Sequence, residues 1–158
     1  MSNYTPAAPG ARSQIGLALG WRSTKRKQMR RIKQRYGDDC GIACVAMVAG
    51  VPYAQAAEKF SLKPNGSRLT NTKDLITALR LLGVSVEGDH LEPLPKQSYR
   101  WRAALREDEC VAILKSPTRK NGKWHWRVYD PVRDRVVDPK DRPYQRLRAT
   151  SRLRIRSA

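Results

Sequence analysis

Acidic residues are scarce in this 158-residue chain: 14 Asp and Glu stand against 32 Lys and Arg, for a formal net charge of +18. The shortage is local as well as global. Residues 1–35 carry nine cations and no acid, and residues 140–158 carry seven cations against Asp141 alone. Cysteine is also sparse, three in all with no C-x-x-C pair, which speaks against a disulfide framework and a zinc site. No metal or cofactor is therefore expected. Apolar runs fall far short of the roughly 20 residues of a membrane-spanning helix. The stretch Ile15–Gly20 is too short for a secretory core and its main basic cluster follows it, so a reducing cytoplasm is the expected location. Internal repeats and long low-complexity tracts are absent.

What is there suggests a near-neutral domain between two basic arms, with boundaries at residues 1–33, 34–139 and 140–158. Arms of this kind usually meet polyanions. Arg22, Lys25, Arg26, Lys27, Arg30, Arg31 and Lys33 are the candidate phosphate contacts, through strongly salt-dependent binding that reads no sequence. Residues 23–35 could form a basic helix, although few apolar residues recur there at helical spacing. The last 15 or so residues alternate Arg with small or apolar residues, which fits either an edge strand or a disordered arm.

Within the middle segment, helical patterns come first. Asp38 or Asp39 can cap a helix with body CGIACVAMVA, stopped by Gly50 with Pro52 beyond. PYAQAAEKF offers a short second helix. Thr70 or Thr72 caps a third, with Leu75, Leu79 and Leu82 on one face and Gly83 after its end. Residues 84–87, 110–115, 124–130 and 135–138 then read as short strands, β-branched or aromatic and bounded by turn residues. Helices followed by strands predict an α+β fold, with N-terminal helices packed on a C-terminal antiparallel sheet.

Cys40 is the residue with the most chemistry in reach. It falls in the first turn of its helix, where unpaired N–H groups and the dipole lower a thiol pKa. Gly41 beside it would let a substrate backbone come close. Cys44, one turn on among Ala43, Val45 and Met47, fits packing better. A buried structural role for Cys40 stays equally open on position alone. Of the two histidines, His90 reads as a solvated loop residue. His125 is more informative, because a hairpin closed at Asp130–Arg133 places it opposite Asp138, with Cβ atoms roughly 5 Å apart on one face. Asp130, five residues along the strand, falls on the other face roughly 16 Å away and reads as a turn residue, as does Asp134. Gln34 could lend a side-chain amide to an oxyanion, with the Cys40 N–H as second donor. Singly, Gln34 is a polar residue in a basic stretch. Trp124 and Trp126 bracket His125 and could shield it or simply pack.

Taken together, Gln34, five residues, then Asp39-Cys40-Gly41-Ile42-Ala43-Cys44-Val45-Ala46-Met47, and later His125-Trp126 and Asp138-Pro139, resemble the papain-like cysteine peptidases. The nearest likeness is to the bacteriocin-leader (double-glycine) peptidase group, whose leucine-bearing helix ending in Gly is matched by TKDLITALRLLGV. The resemblance covers about residues 34–139. It implies a papain-like fold, Cys40 as nucleophile, His125 as general base, Asp138 as its orienter and Gln34 as oxyanion donor, acting on a peptide or protein substrate. Two other classes compete: a nucleic-acid- or virion-associated binding protein on a peptidase-like scaffold, and a transglutaminase-like transferase using the same Cys-His-Asp chemistry. The size and charge would suit a phage-encoded or virion-packaged protein.

Overall fold

A computed structural model describes residues 29–61, 63–118, 123–142 and 147–156. The order is α1 (Cys40–Ala49), α2 (Tyr53–Ala57), α3 (Thr72–Leu81), β1 (Glu92–Pro93), α4 (Ser98–Asp108), β2 (Ala112–Pro117), β3 (Trp124–Asp130), β4 (Arg135–Val137) and β5 (Ser151–Arg154). The strands form one antiparallel sheet in the order β1-β5-β2-β3-β4. The fold is α+β.

α1 is apolar on every side, and Cys40 through Met47 are all buried, so it is a central helix rather than a surface one. Its small residues let it lie close against β3. Gly50 ends it in the left-handed conformation (φ 67°), which glycine adopts at little cost. α3 is amphipathic, burying Leu75, Ile76, Ala78 and Leu79. Its cap is Asn71, between the two threonines expected for the task, and a full capping box joins Asn71 and Asp74. Thr70 is instead buried, with its carbonyl engaged elsewhere (below).

Alternation along β3 divides the sheet into two faces. Trp126 and Val128 join Ile113, Val137, Leu153 and the residues of α1 and α3 in the main core. The opposite face carries Ala112, Leu114 and Tyr129, covered by Trp101 and Leu105 of α4. This second layer departs from the expected single helix layer. α4 is a weak sequence signal because, among its described side chains, only Trp101 and Leu105 are fully buried, with many charged neighbours.

The C-terminal stretch also departs from expectation. It is neither an arm nor an edge strand where described, since β5 lies between β1 and β2. Leu153 and Ile155 turn into the core, while Arg152 and Arg154 reach Glu92 and Asp108. Leu153, Ile155, Arg152 and Arg154 of the alternation are thereby each accommodated. At the other end, Met29 and Ile32 pack against the main core and residues 29–34 are not helical. The folded unit thus extends past both expected boundaries. The strand expected at 84–87 is reduced to one bridge, Val86 with Ile155.

Candidate active site

The loop leading into α1 is held by two aspartates. Asp39 stands at the N-cap position, yet its side chain turns back to accept the N–H groups of Arg35 (2.9 Å) and Tyr36 (3.1 Å) and the Tyr53 hydroxyl. It clamps the loop instead of capping the helix. Burial and this hydrogen bond to a carboxylate raise the Tyr53 pKa. Asp38 accepts from the Arg68 N–H (2.9 Å) and the Ser67 hydroxyl (3.2 Å), tying the loop to the segment before α3. Packing requires glycine at position 41: a Cβ there would meet Thr70 Oγ1 at 1.9 Å.

Cys40 is 3% exposed and its Sγ lies 3.5 Å from the backbone nitrogen of Trp126, whose N–H donates to it. The thiol therefore sits against the peptide unit that joins His125 to Trp126. Burial pushes the Cys40 thiol up to about 11, against the lowering by the N–H groups of Trp126 and Gly41. The expected activation by the helix N-terminus is thus outweighed by desolvation. Cys40 in this conformation holds its proton at neutral pH and needs a base to lose it. Burial likewise raises the thiol pKa of Cys44, wholly buried one turn further along the helix.

His125 Nε2 stands 2.7 Å from Asp138 Oδ1, and both side chains are buried. Burial alone would raise the Asp138 pKa, but the hydrogen bonds from His125, the Lys140 N–H and Arg127 outweigh it and hold it at about 2. Asp138 is therefore a carboxylate and can only accept, so Nε2 carries the proton. In a neutral imidazole Nδ1 is then the acceptor, the form a general base requires.

The pairing arises by a different register from the one expected. β3 and β4 align Asp130 with Arg135 and Val128 with Val137. This is two residues away from the register of a turn closed at Arg133, because the connection is Pro131–Asp134 with Asp134 at positive φ (45°). Asp138 lies just past β4, and its Oδ1 accepts from Lys140 N at 2.8 Å. Asp130 is the turn residue expected, its Oδ1 accepting from Val132 N (3.1 Å), and Asp134 takes the Tyr129 hydroxyl and Arg106. His90 is exposed beside Asp89.

Arg127 was missed by sequence reasoning. It is buried on the His125 face, with Nε donating to Asp138 Oδ2 (2.7 Å) and Nη1 to Ser116 Oγ (3.3 Å). The signal was its spacing of two from His125, which puts both on one face of a strand. The tryptophans occupy the other face, and both indole N–H groups donate to the Thr70 carbonyl at 3.2 Å. Trp126 is core and does not cover the imidazole.

Gln34 is brought to the same end of the sheet by its backbone N–H, which donates to Pro139 O at 2.9 Å. Its Nε2 donates to Tyr36 O at 2.6 Å, which fixes the amide orientation, and Oε1 is buried without a hydrogen-bond partner. One N–H of Nε2 is thus already engaged.

Of the basic residues, Arg22, Lys25, Arg26 and Lys27 lie outside the described residues. Arg30 is exposed. Arg31 donates through Nε to Asp138 O (2.8 Å) and also to Lys140 O, and Lys33 pairs with Asp141 at 2.8 Å. Residues 31–34 therefore run along 138–141 and brace the segment that carries Asp138. Among the described residues no helix is long and apolar enough to cross a membrane. Among the described residues, two surface depressions lie elsewhere, one lined by Arg106, Tyr129 and Asp134 and the other by Arg80, Val84 and Arg156.

No family model matches the chain, and neither does any curated protein.

Proposed function

We propose that this protein is a papain-like cysteine peptidase or amidase that cleaves a peptide or amide bond through Cys40, His125 and Asp138. The observation that carries the reading is the buried 2.7 Å contact of His125 Nε2 with Asp138 Oδ1, one peptide unit from the backbone N–H that meets the Cys40 Sγ. In the proposed reaction His125 Nδ1 takes the thiol proton and Sγ bonds to the substrate carbonyl carbon. The oxyanion is held by the second N–H of Gln34 Nε2 and the backbone N–H of Cys40. The C–N bond breaks as the imidazolium returns its proton to the leaving amine. Water, deprotonated by His125, then releases the acid and restores the thiol.

Support for this reading comes from Asp138, which fixes the tautomer, and from the loop bound by Asp39, which sets Cys40 at the helix start. The net charge of +18 supports a compatible second property, association with a polyanion.

The test is alkylation of the whole protein by iodoacetamide between about pH 5 and pH 10, mapped by peptide mass and repeated on His125→Ala. The reading expects Cys40 to react well below the pH of about 11 to which burial pushes its thiol, and to lose that reactivity in the variant. A rate that climbs only towards pH 11 and ignores His125 would sink it.

A further inference from the structure

Arg127 is 2% exposed, and removing a guanidinium from water is offset only when its partners are well placed. A leucine or methionine here would simply extend the apolar face formed by its cross-strand neighbour Leu114 and by Tyr129. Instead the side chain reaches Asp138 Oδ2 through Nε at 2.7 Å and Ser116 Oγ through Nη1 at 3.3 Å. Ser116 is itself paired directly with His125 across β2 and β3. The carboxylate is thereby held at both oxygens, Oδ1 by His125 and the Lys140 N–H, and Oδ2 by Arg127. It cannot turn about its Cβ–Cγ bond without losing one of these contacts, and the imidazole bound to it is fixed in turn.

We infer that Arg127 is a positioning residue for the His125–Asp138 pair: by holding Oδ2 it keeps Oδ1 turned to His125 Nε2, and so keeps Nδ1 as the proton acceptor. The inference rests on the reading of Cys40, His125 and Asp138 as a reactive triad. A bare cation near the pair would not do this, because the guanidinium fork engages Asp138 and Ser116 at once, whereas an ammonium offers a single centre.

The experiment uses the full chain as wild type, Arg127→Met, Arg127→Lys and His125→Ala. Alkylation of Cys40 is timed at neutral pH, and the imidazole nitrogens are followed by nitrogen-15 NMR. The chain has only two histidines, and exposed His90 serves as the internal reference. Arg127→Met is expected to slow alkylation about tenfold, the lower end of the loss of an outer orienting partner. Its His125 signals should move towards those of a tautomer mixture while His90 stays in place. Arg127→Lys should fall between the two. Alkylation at the wild-type rate in Arg127→Met, or slowed alkylation with unchanged His125 signals, overturns the inference while a slow His125→Ala leaves the triad reading standing. If His125→Ala reacts like wild type, both fall together. Should Arg127→Met fail to fold, Arg127→Lys decides alone: a few-fold slowing with displaced His125 signals is expected, and wild-type rate and signals overturn the inference.

Discussion

Replacing Asp138 by alanine should be far more damaging to the fold than an ordinary loss of three hydrogen bonds. Its Oδ1 accepts from His125 (2.7 Å) and Lys140 N (2.8 Å), and its Oδ2 from Arg127 (2.7 Å). Two of these partners are side chains buried beneath the surface, and one, Arg127, carries a charge it cannot give up. Breaking a buried ion pair from one side typically costs about 3–5 kcal/mol, most of it the uncompensated charge left behind. For a domain of this length each kcal/mol shifts the melting temperature by roughly 2–4 °C, so a fall of about 10 °C is expected. The origin of the cost can be isolated. In Asp138→Ala/Arg127→Met the stranded cation is gone, and stability should return to within about 1–2 kcal/mol of wild type. Urea unfolding followed by tryptophan fluorescence measures both variants. An Asp138→Ala cost under about 1 kcal/mol, or a double variant no more stable than the single, would refute the reasoning.

Three further outcomes are expected. The pKa of Asp138 is lowered from 3.8 to about 2, so its stabilisation is present above about pH 4 and lost as the pH falls through 2; it amounts to about 2 kcal/mol, and acid titration of the unfolding midpoint should show that part missing from Asp138→Ala/Arg127→Met. Gly41→Ala drives a Cβ to 1.9 Å from Thr70 Oγ1 and should cost about 1–3 kcal/mol by urea denaturation, with Thr70→Ala in the same chain recovering part of it; a neutral Gly41→Ala would contradict the packing described. Asn71→Ala removes the cap of α3 and should cost about 1 kcal/mol in the same assay, with Cys40 alkylation unchanged.

Much of the fold was legible because most elements announce themselves locally. The run CGIACVAMVA between Asp39 and Gly50 became α1 residue for residue, and WHWRVYD became β3. What was not legible depends on partners distant in sequence. β5 is basic and short, and it becomes an interior strand only because Glu92 and Asp108 meet Arg152 and Arg154 while Leu153 enters the core. Read alone, RLRIR has no way to declare that its charges will be neutralised. α4 fails for a related reason: it offers the sheet face formed by Ala112 and Leu114 only two fully buried apolar side chains, four residues apart, and its other ties are to Asp134, Arg152 and Arg154, distant in sequence.

The candidate site illustrates how an incorrect register can still yield the right neighbours. The hairpin was off by two residues, and an even slip preserves the face of every side chain, whereas an odd one reverses it. His125 therefore remained on the face from which Asp138 can be reached, one diagonal step from the pairing expected, and the carboxylate closes that gap from just beyond the end of β4. The same parity puts Arg127 on that face. An alternation reading of β3 as WHWRVYD assigns Trp124, Trp126 and Val128 to the core and would place His125, Arg127 and Tyr129 towards solvent. The face is buried instead by α4 and by the 138–141 segment that Arg31 and Lys33 brace. A histidine and an arginine two apart on a strand are ordinary polar residues while that face is wet. Once it is covered each must find a partner, and both find the same carboxylate.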